Sequence, residues 1–130
     1  MKNNMIILLL IASFSTTFLA DQTDRVAALL QLGQAHELGK LCSNNLELSI
    51  LGDEKTVSKA VAESQLNTFF STNKPVAVKI IHRMDSNPSL IFAVAQLKTS
   101  GGNFRVSYSI KITNGNQEMT ELRIETEKGP

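Results

Sequence analysis

The stretch from Leu90 to Glu127 limits the fold more than any other part of the chain. It alternates apolar and polar residues and is interrupted by two glycine-bearing turns, Ser100-Gly101-Gly102-Asn103 and Asn114-Gly115. Successive side chains of a strand point to opposite faces, so this pattern sends one apolar set to one side. Glycine accepts the positive φ that a tight hairpin loop needs. With Gly101-Gly102 as the first loop, Leu97 lies opposite Val106, Ala95 opposite Tyr108 and Ala93 opposite Ile110. These residues share an inner face, while Phe92, Val94, Gln96, Arg105 and Lys111 share the outer one.

The second turn sets two signals against each other. Asn114-Gly115 favours a two-residue loop. Used that way throughout, it would set Tyr108 against Glu121. A slip of one residue moves a whole strand's apolar set to the wrong face, so the apolar pattern should decide. A three-residue loop, Asn114-Gly115-Asn116, pairs Tyr108 with Leu122, Val106 with Ile124 and Arg105 with Glu125. It expects Asn116 in the left-handed region, which Asn tolerates better than most residues. It also places Met119 on the outer face beside Phe92 and Val94.

Upstream, the pattern changes to helical spacing. Asp21 to Leu32 reads as a helix with Val26, Leu29 and Leu30 on one side and Gly33 ending it. A short helix follows at 35–42, then a strand at 46–51 and a loop at 52–55. Ser58 is a good cap for a helix running to about Thr72, with Ala62, Leu66, Phe69 and Phe70 inward. Asn73-Lys74-Pro75 stops it, and 76–83 reads as a strand with Val76, Val78, Ile80 and His82 on one side. Two helices, a strand, a helix and four strands make an α+β fold, with the helices gathered on one face of a curved antiparallel sheet.

A chain of 130 residues is one domain, and a formal net charge of +1 without a basic run argues against nucleic-acid binding. The first twenty residues read as a secretory signal peptide: Lys2, then an apolar run from Met5 to Ala12, with cleavage expected after Ala20. The run is short for a membrane span, so no stable membrane insertion is expected after cleavage. Residues 21–127 form the domain, and 128–130 a frayed end. Cys42 is the single cysteine, so the mature domain has no internal disulfide and must be stable by packing. On a helix face with Ala35, Leu38 and Leu41, it reads as a small buried apolar residue.

Several segments resemble a family of small secreted bacterial proteins, a domain of unknown function in the nuclear transport factor 2-like superfamily. They are Asn45-Leu46-Glu47-Leu48-Ser49-Ile50-Leu51-Gly52, Ser58-Lys59-Ala60, Phe69-Phe70, Leu97-Lys98-Thr99-Ser100, Gly102-Asn103-Phe104-Arg105-Val106 and Leu122-Arg123-Ile124-Glu125. The resemblance covers essentially the whole mature chain. It implies a cone-shaped α+β fold and pairing of two copies through the sheet. The superfamily holds ketosteroid-isomerase-like enzymes, cyclases and dehydratases as well as non-enzymatic binding and dimerisation domains. The family supplies no catalytic residues to carry over.

Two candidate sites follow. Small Ala93 and Ala95 beside Tyr108 leave room for an apolar pocket inside the cone, lined also by Phe69 and His82, that would take a small apolar ligand. Phe92, Val94 and Met119 among outward serines and charges mark a candidate homodimer face. An isomerase, dehydratase or cyclase would need Tyr108 as an oxyanion donor and His82 as the base. That set is thin for proton shuttling, because each residue has an ordinary structural role: Tyr108 in the core and His82 at a strand end. His36 sits on a polar helix face. No spacing of His, Cys or carboxylates marks a metal site, and no cofactor motif is present. The expectation is a non-catalytic binding or interaction domain.

Overall fold

The computed structural model describes residues 22–128; the proposed signal peptide and the last two residues lie outside them. Three helices and six strands are described: α1 (Gln22–Leu32), α2 (Ala35–Leu41), β1 (Cys42–Ile50), β2 (Asp53–Val57), α3 (Lys59–Thr72), β3 (Pro75–Asn87), β4 (Leu90–Thr99), β5 (Gly102–Thr113) and β6 (Asn116–Thr126). The strands form one sheet in the order β2-β1-β6-β5-β4-β3. β1 runs parallel to β6, and every other neighbouring pair is antiparallel. The helices cover one face: α1 lies across β3 and β4, α3 across β1, and α2 packs on α3.

The helix ends are where local chemistry places them. α1 closes with Gln34 N–H donating to Leu29 O at 3.0 Å and Gly33 N–H to Leu30 O at 3.1 Å. Gly33, at φ 63°, supplies the left-handed residue this paired closure requires. Ser58 Oγ accepts from Val61 N–H and caps α3. The apolar stripes of the three helices join the inward residues of the sheet in one core. Val26, Leu30, Leu38, Leu66, Val106, Tyr108, Leu122 and Ile124 are all fully buried within it.

β2 is a strand where a loop is expected. Leu51, at φ 51°, and Gly52, at φ 91°, make a two-residue turn that folds Asp53–Val57 back on β1. Asp53-Glu54-Lys55 has little strand preference of its own, and only Val57 of this strand is buried. Its pairing is held by the turn and by Arg123, whose Nη2 meets Glu54 Oε2 at 3.0 Å.

The β4–β5 hairpin differs from expectation by one step. Its loop is Ser100-Gly101, so Leu97 faces Phe104, Ala95 faces Val106 and Ala93 faces Tyr108. The faces are unchanged, because the partners move by two residues. The turn is held from inside and outside. Thr99 Oγ1 accepts from Gly101 N–H and donates to Gly102 O. Ser100 N–H donates to Lys74 O at 2.9 Å. A Cβ on Gly101 would overlap Asn73 Oδ1. The close approach to the end of α3 therefore puts glycine at the second loop position and sets the register.

The β5–β6 hairpin satisfies both of its signals. The turn is the two-residue Asn114-Gly115, with Asn114 at φ 51° and Gly115 at φ 83°. Asn116 is the first strand residue and pairs with Thr113, so neither the three-residue loop nor a left-handed Asn116 is present. The inward pairs Tyr108–Leu122 and Val106–Ile124, and the outward pair Arg105–Glu125, are as expected. A β-bulge reconciles the two ends: Ser109 pairs with Glu121 and Ile110 with Met119, leaving Thr120 as the extra residue.

Candidate functional site

The bulge at Thr120 changes the candidate dimer face. Met119 is opposite Ile110, fully buried and part of the core, so it is not an outer-face residue. Val94 does point outward, yet only 2% of it is exposed. It lies between His82 on β3 and Ser107 on β5 and cannot by itself be a contact. Phe92 is half-buried on the same face, opposite Met84, which is 52% exposed. Leu90, two residues away on that face, is 43% exposed. The apolar part of the outer face is therefore Met84, Leu90 and Phe92 above Val94.

The proposed interior pocket is not assembled. Ala93, Ala95 and Tyr108 have no exposure and Phe69 has 5%; all four belong to the packed core. Phe69 stacks edge-on to Phe104, with centroids 5.0 Å apart. The Tyr108 hydroxyl donates to Thr23 O at 2.8 Å, so the first turn of α1 closes over it. His82 is on the other side of the sheet. The register of β3 shifts between Ile80 and His82, which sets His82 opposite outward-facing Val94 and leaves it exposed. Val78 and Ile80, before the shift, pack against the core as expected. Tyr108 and His82 thus lie on opposite faces, and the base and oxyanion donor of an isomerase do not converge.

Other titratable groups are dispersed. His36 Nδ1 meets Glu63 Oε1 at 3.0 Å across α2 and α3, in the open. Among the described residues no group of His, Cys, Asp and Glu is placed to hold a metal ion, and no helix is long and apolar enough to cross a membrane. Cys42 is buried at the junction of α2 and β1, where its thiol donates to Leu38 O at 3.3 Å. Burial raises its pKa from 9.0 to about 11, opposed only by nearby Lys59. Between those values the unfolded thiol ionises and the folded one does not. The unfolded state therefore binds fewer protons, and stability falls as pH rises through this window. At pH 9 Cys42 is expected to react with iodoacetamide at least about tenfold more slowly in the native protein than in urea, because the thiolate is the nucleophile. Equal rates would place the thiol at the surface.

The outer face also carries a hollow absent from the sequence expectations. It has a volume of about 300 Å³ and lies at the end of the sheet remote from Phe92. Ala77 is its one outward apolar residue, Lys79, Gln96, Lys98, Asn103 and Glu127 are its polar ones, and Val78 and Leu97 lie beneath with their side chains turned to the core. Glu127 extends the ladder past β6, its N–H donating to Asn103 O at 2.9 Å. One carboxylate oxygen of Glu127, Oε1, is shut off from solvent without a hydrogen-bond partner. The only sequence signal was small Ala77 standing outward between longer neighbours.

The sequence profile of a family described as a domain of unknown function, DUF4783, matches residues 23–125. The chain belongs to this family. Solved structures similar to it include DUF4783 proteins from Bacteroides. One, from Bacteroides uniformis, is 23% identical with a TM-score of 0.77, over 82% of this chain and 98% of the other. The second, from Bacteroides ovatus, is 25% identical with a TM-score of 0.74, over 80% of this chain and 94% of the other. A nuclear transport factor 2-like protein from Cytophaga hutchinsonii superimposes with a TM-score of 0.59 at 14% identity, over 80% and 91% of the two chains. No curated protein matches the chain. The DUF4783 domain thus has the nuclear transport factor 2-like fold, with helices packed against a curved six-stranded sheet.

Proposed function

We propose that this DUF4783 domain is an exported, non-catalytic interaction domain that pairs with a second copy of itself through the uncovered face of its sheet. The observation that carries the non-catalytic reading is the closed interior. Where a ketosteroid-isomerase-like enzyme would hold its substrate, Ala93, Ala95, Phe69 and Tyr108 are packed among the helices, and the Tyr108 hydroxyl is engaged by α1. Export is supported by Lys2 and the apolar run Met5–Ala12, and by the family match beginning at residue 23, just past the expected cleavage point.

Pairing is supported by the outer face, where Met84, Leu90 and Phe92 form a contiguous apolar group on neighbouring strands. Burying such a group against its own copy gives the self-complementary contact of a two-fold dimer. Phe92→Glu is expected to convert dimer to monomer in sedimentation velocity while leaving the far-ultraviolet spectrum unchanged. A wild-type protein that sediments as a monomer at all accessible concentrations would remove the pairing reading.

A further inference from the structure

We infer that the hollow between β3 and the end of β6 binds a short peptide with both termini free. It lies at the opposite end of the outer face from Phe92 and does not depend on the pairing proposed above. Its charges are separated along one line. Glu127 is beside Asn103 on β5, Lys98 is on β4, and Lys79 is on β3, so the acid is at one end and the lysines are toward the other. Neither lysine makes an ion pair among the described residues, and Glu127 Oε1 has no donor. Glu127 is only partly buried and lines the hollow, so a ligand that brings an N–H to its accessible side gains a charge-assisted hydrogen bond. The lysines ask for a negative group, while Glu127 repels a second one. The ligand is therefore cationic at one end and anionic at the other.

The spacing sets its length. Adjacent strands lie roughly 4.8 Å apart, so the two to three strand steps from Glu127 to the lysines span roughly 10–14 Å. An extended peptide advances roughly 3.3 Å per residue, which makes the match three or four residues. Small Ala77 leaves a gap in the floor suited to a small side chain, which a bare inorganic anion does not use, while Val78 and Leu97 turn their side chains to the core on the other side of the sheet. The carboxamides of Gln96 and Asn103 each present a donor and an acceptor along the wall, the same pair that a peptide group offers in return. The peptide's ammonium would meet Glu127 and its carboxylate Lys98 and Lys79.

The test is a titration of the purified protein with tetraalanine, followed in ¹H–¹⁵N spectra. Saturable shifts are expected at the amides of Lys79, Lys98, Asn103 and Glu127. N-acetylation of the peptide should weaken binding about tenfold, and C-amidation by a similar factor, since each removes one charged contact. Glu127→Gln should weaken the free peptide about tenfold and leave the acetylated peptide unchanged. Lys79→Gln with Lys98→Gln should do the same for the free and amidated peptides. If a variant fails to fold, the blocked peptides on the wild-type protein decide the matter alone. The inference is overturned by the absence of saturable shifts at millimolar peptide, by shifts elsewhere, or by blocked peptides binding as tightly as the free one. Acetate or phosphate binding more tightly than tetraalanine would also overturn it, as a simple anion site. Sedimentation of the same samples reports on pairing separately, so either conclusion can fail without the other.

Discussion

Met119→Glu should unfold the domain or cost at least about 4 kcal/mol of stability, the range for leaving an unpaired charge in a packed interior. Met119 has no exposure, faces Ile110 and lies within the core. Burial would drive the new carboxyl toward its neutral form, and the methionine's packing would be lost as well. Glu118→Gln, one residue away but outward and opposite Lys111, should change stability by no more than about 0.5 kcal/mol. Met119→Leu should cost less than about 1.5 kcal/mol, because it keeps volume and polarity. Urea unfolding of the three variants separates these cases. If Met119→Glu is as mild as Glu118→Gln, β6 has no bulge and Met119 is a surface residue.

Most of the architecture was legible in side-chain alternation. The inward sets of β4 and β5 are those read from the sequence, even though the β4–β5 partners were misjudged by two residues. A two-residue error preserves the faces, so the pattern alone has no means of detecting it. The helices were legible because their ends carry chemical marks: Gly33 closes α1 and Ser58 caps α3. β2 was not, because its charged residues gain their strand conformation from the Leu51-Gly52 turn and from β1.

Bulges account for the errors at the candidate sites. Thr120 and the Ile81 region are ordinary strand composition, and nothing in their residue types announces an extra residue. Yet each shift turns a neighbouring side chain through the sheet. Met119 moves in, His82 moves out, and both sites drawn from unbroken alternation lose a member. The hollow at Glu127 was illegible for a related reason. Its lining comes from strands whose mutual registers must all be known before Ala77, Lys98, Asn103 and Glu127 fall in one row.

Deleting Glu118 should destabilise the domain by roughly 3 kcal/mol, the scale of removing a large apolar side chain from the core, whereas deleting Thr120, two residues on, should cost no more than about 1 kcal/mol. Two constraints act on β6. Leu122 and Ile124 must face inward opposite Tyr108 and Val106, with β1 paired alongside through Leu48–Leu122 and Ile50–Ile124. Asn114-Gly115 closes the hairpin with two residues, pairing Thr113 with Asn116. The strand has one residue more than an unbroken ladder between those two points needs, and the bulge places the surplus at Thr120. Removing Thr120 makes Ser109–Glu121 and Ile110–Met119 consecutive pairs, so the turn, the core pairs and an inward Met119 are all kept. Removing Glu118 gives a strand of the same length and the same two end points. Met119 then falls opposite Lys111 on the outer face, and Thr120 falls opposite Ile110 in the core. Urea unfolding of the two deletions, which shorten the chain equally, checks this account. Equal losses would mean that the facing of Met119 does not set the difference and that Thr120 acts through its own contacts.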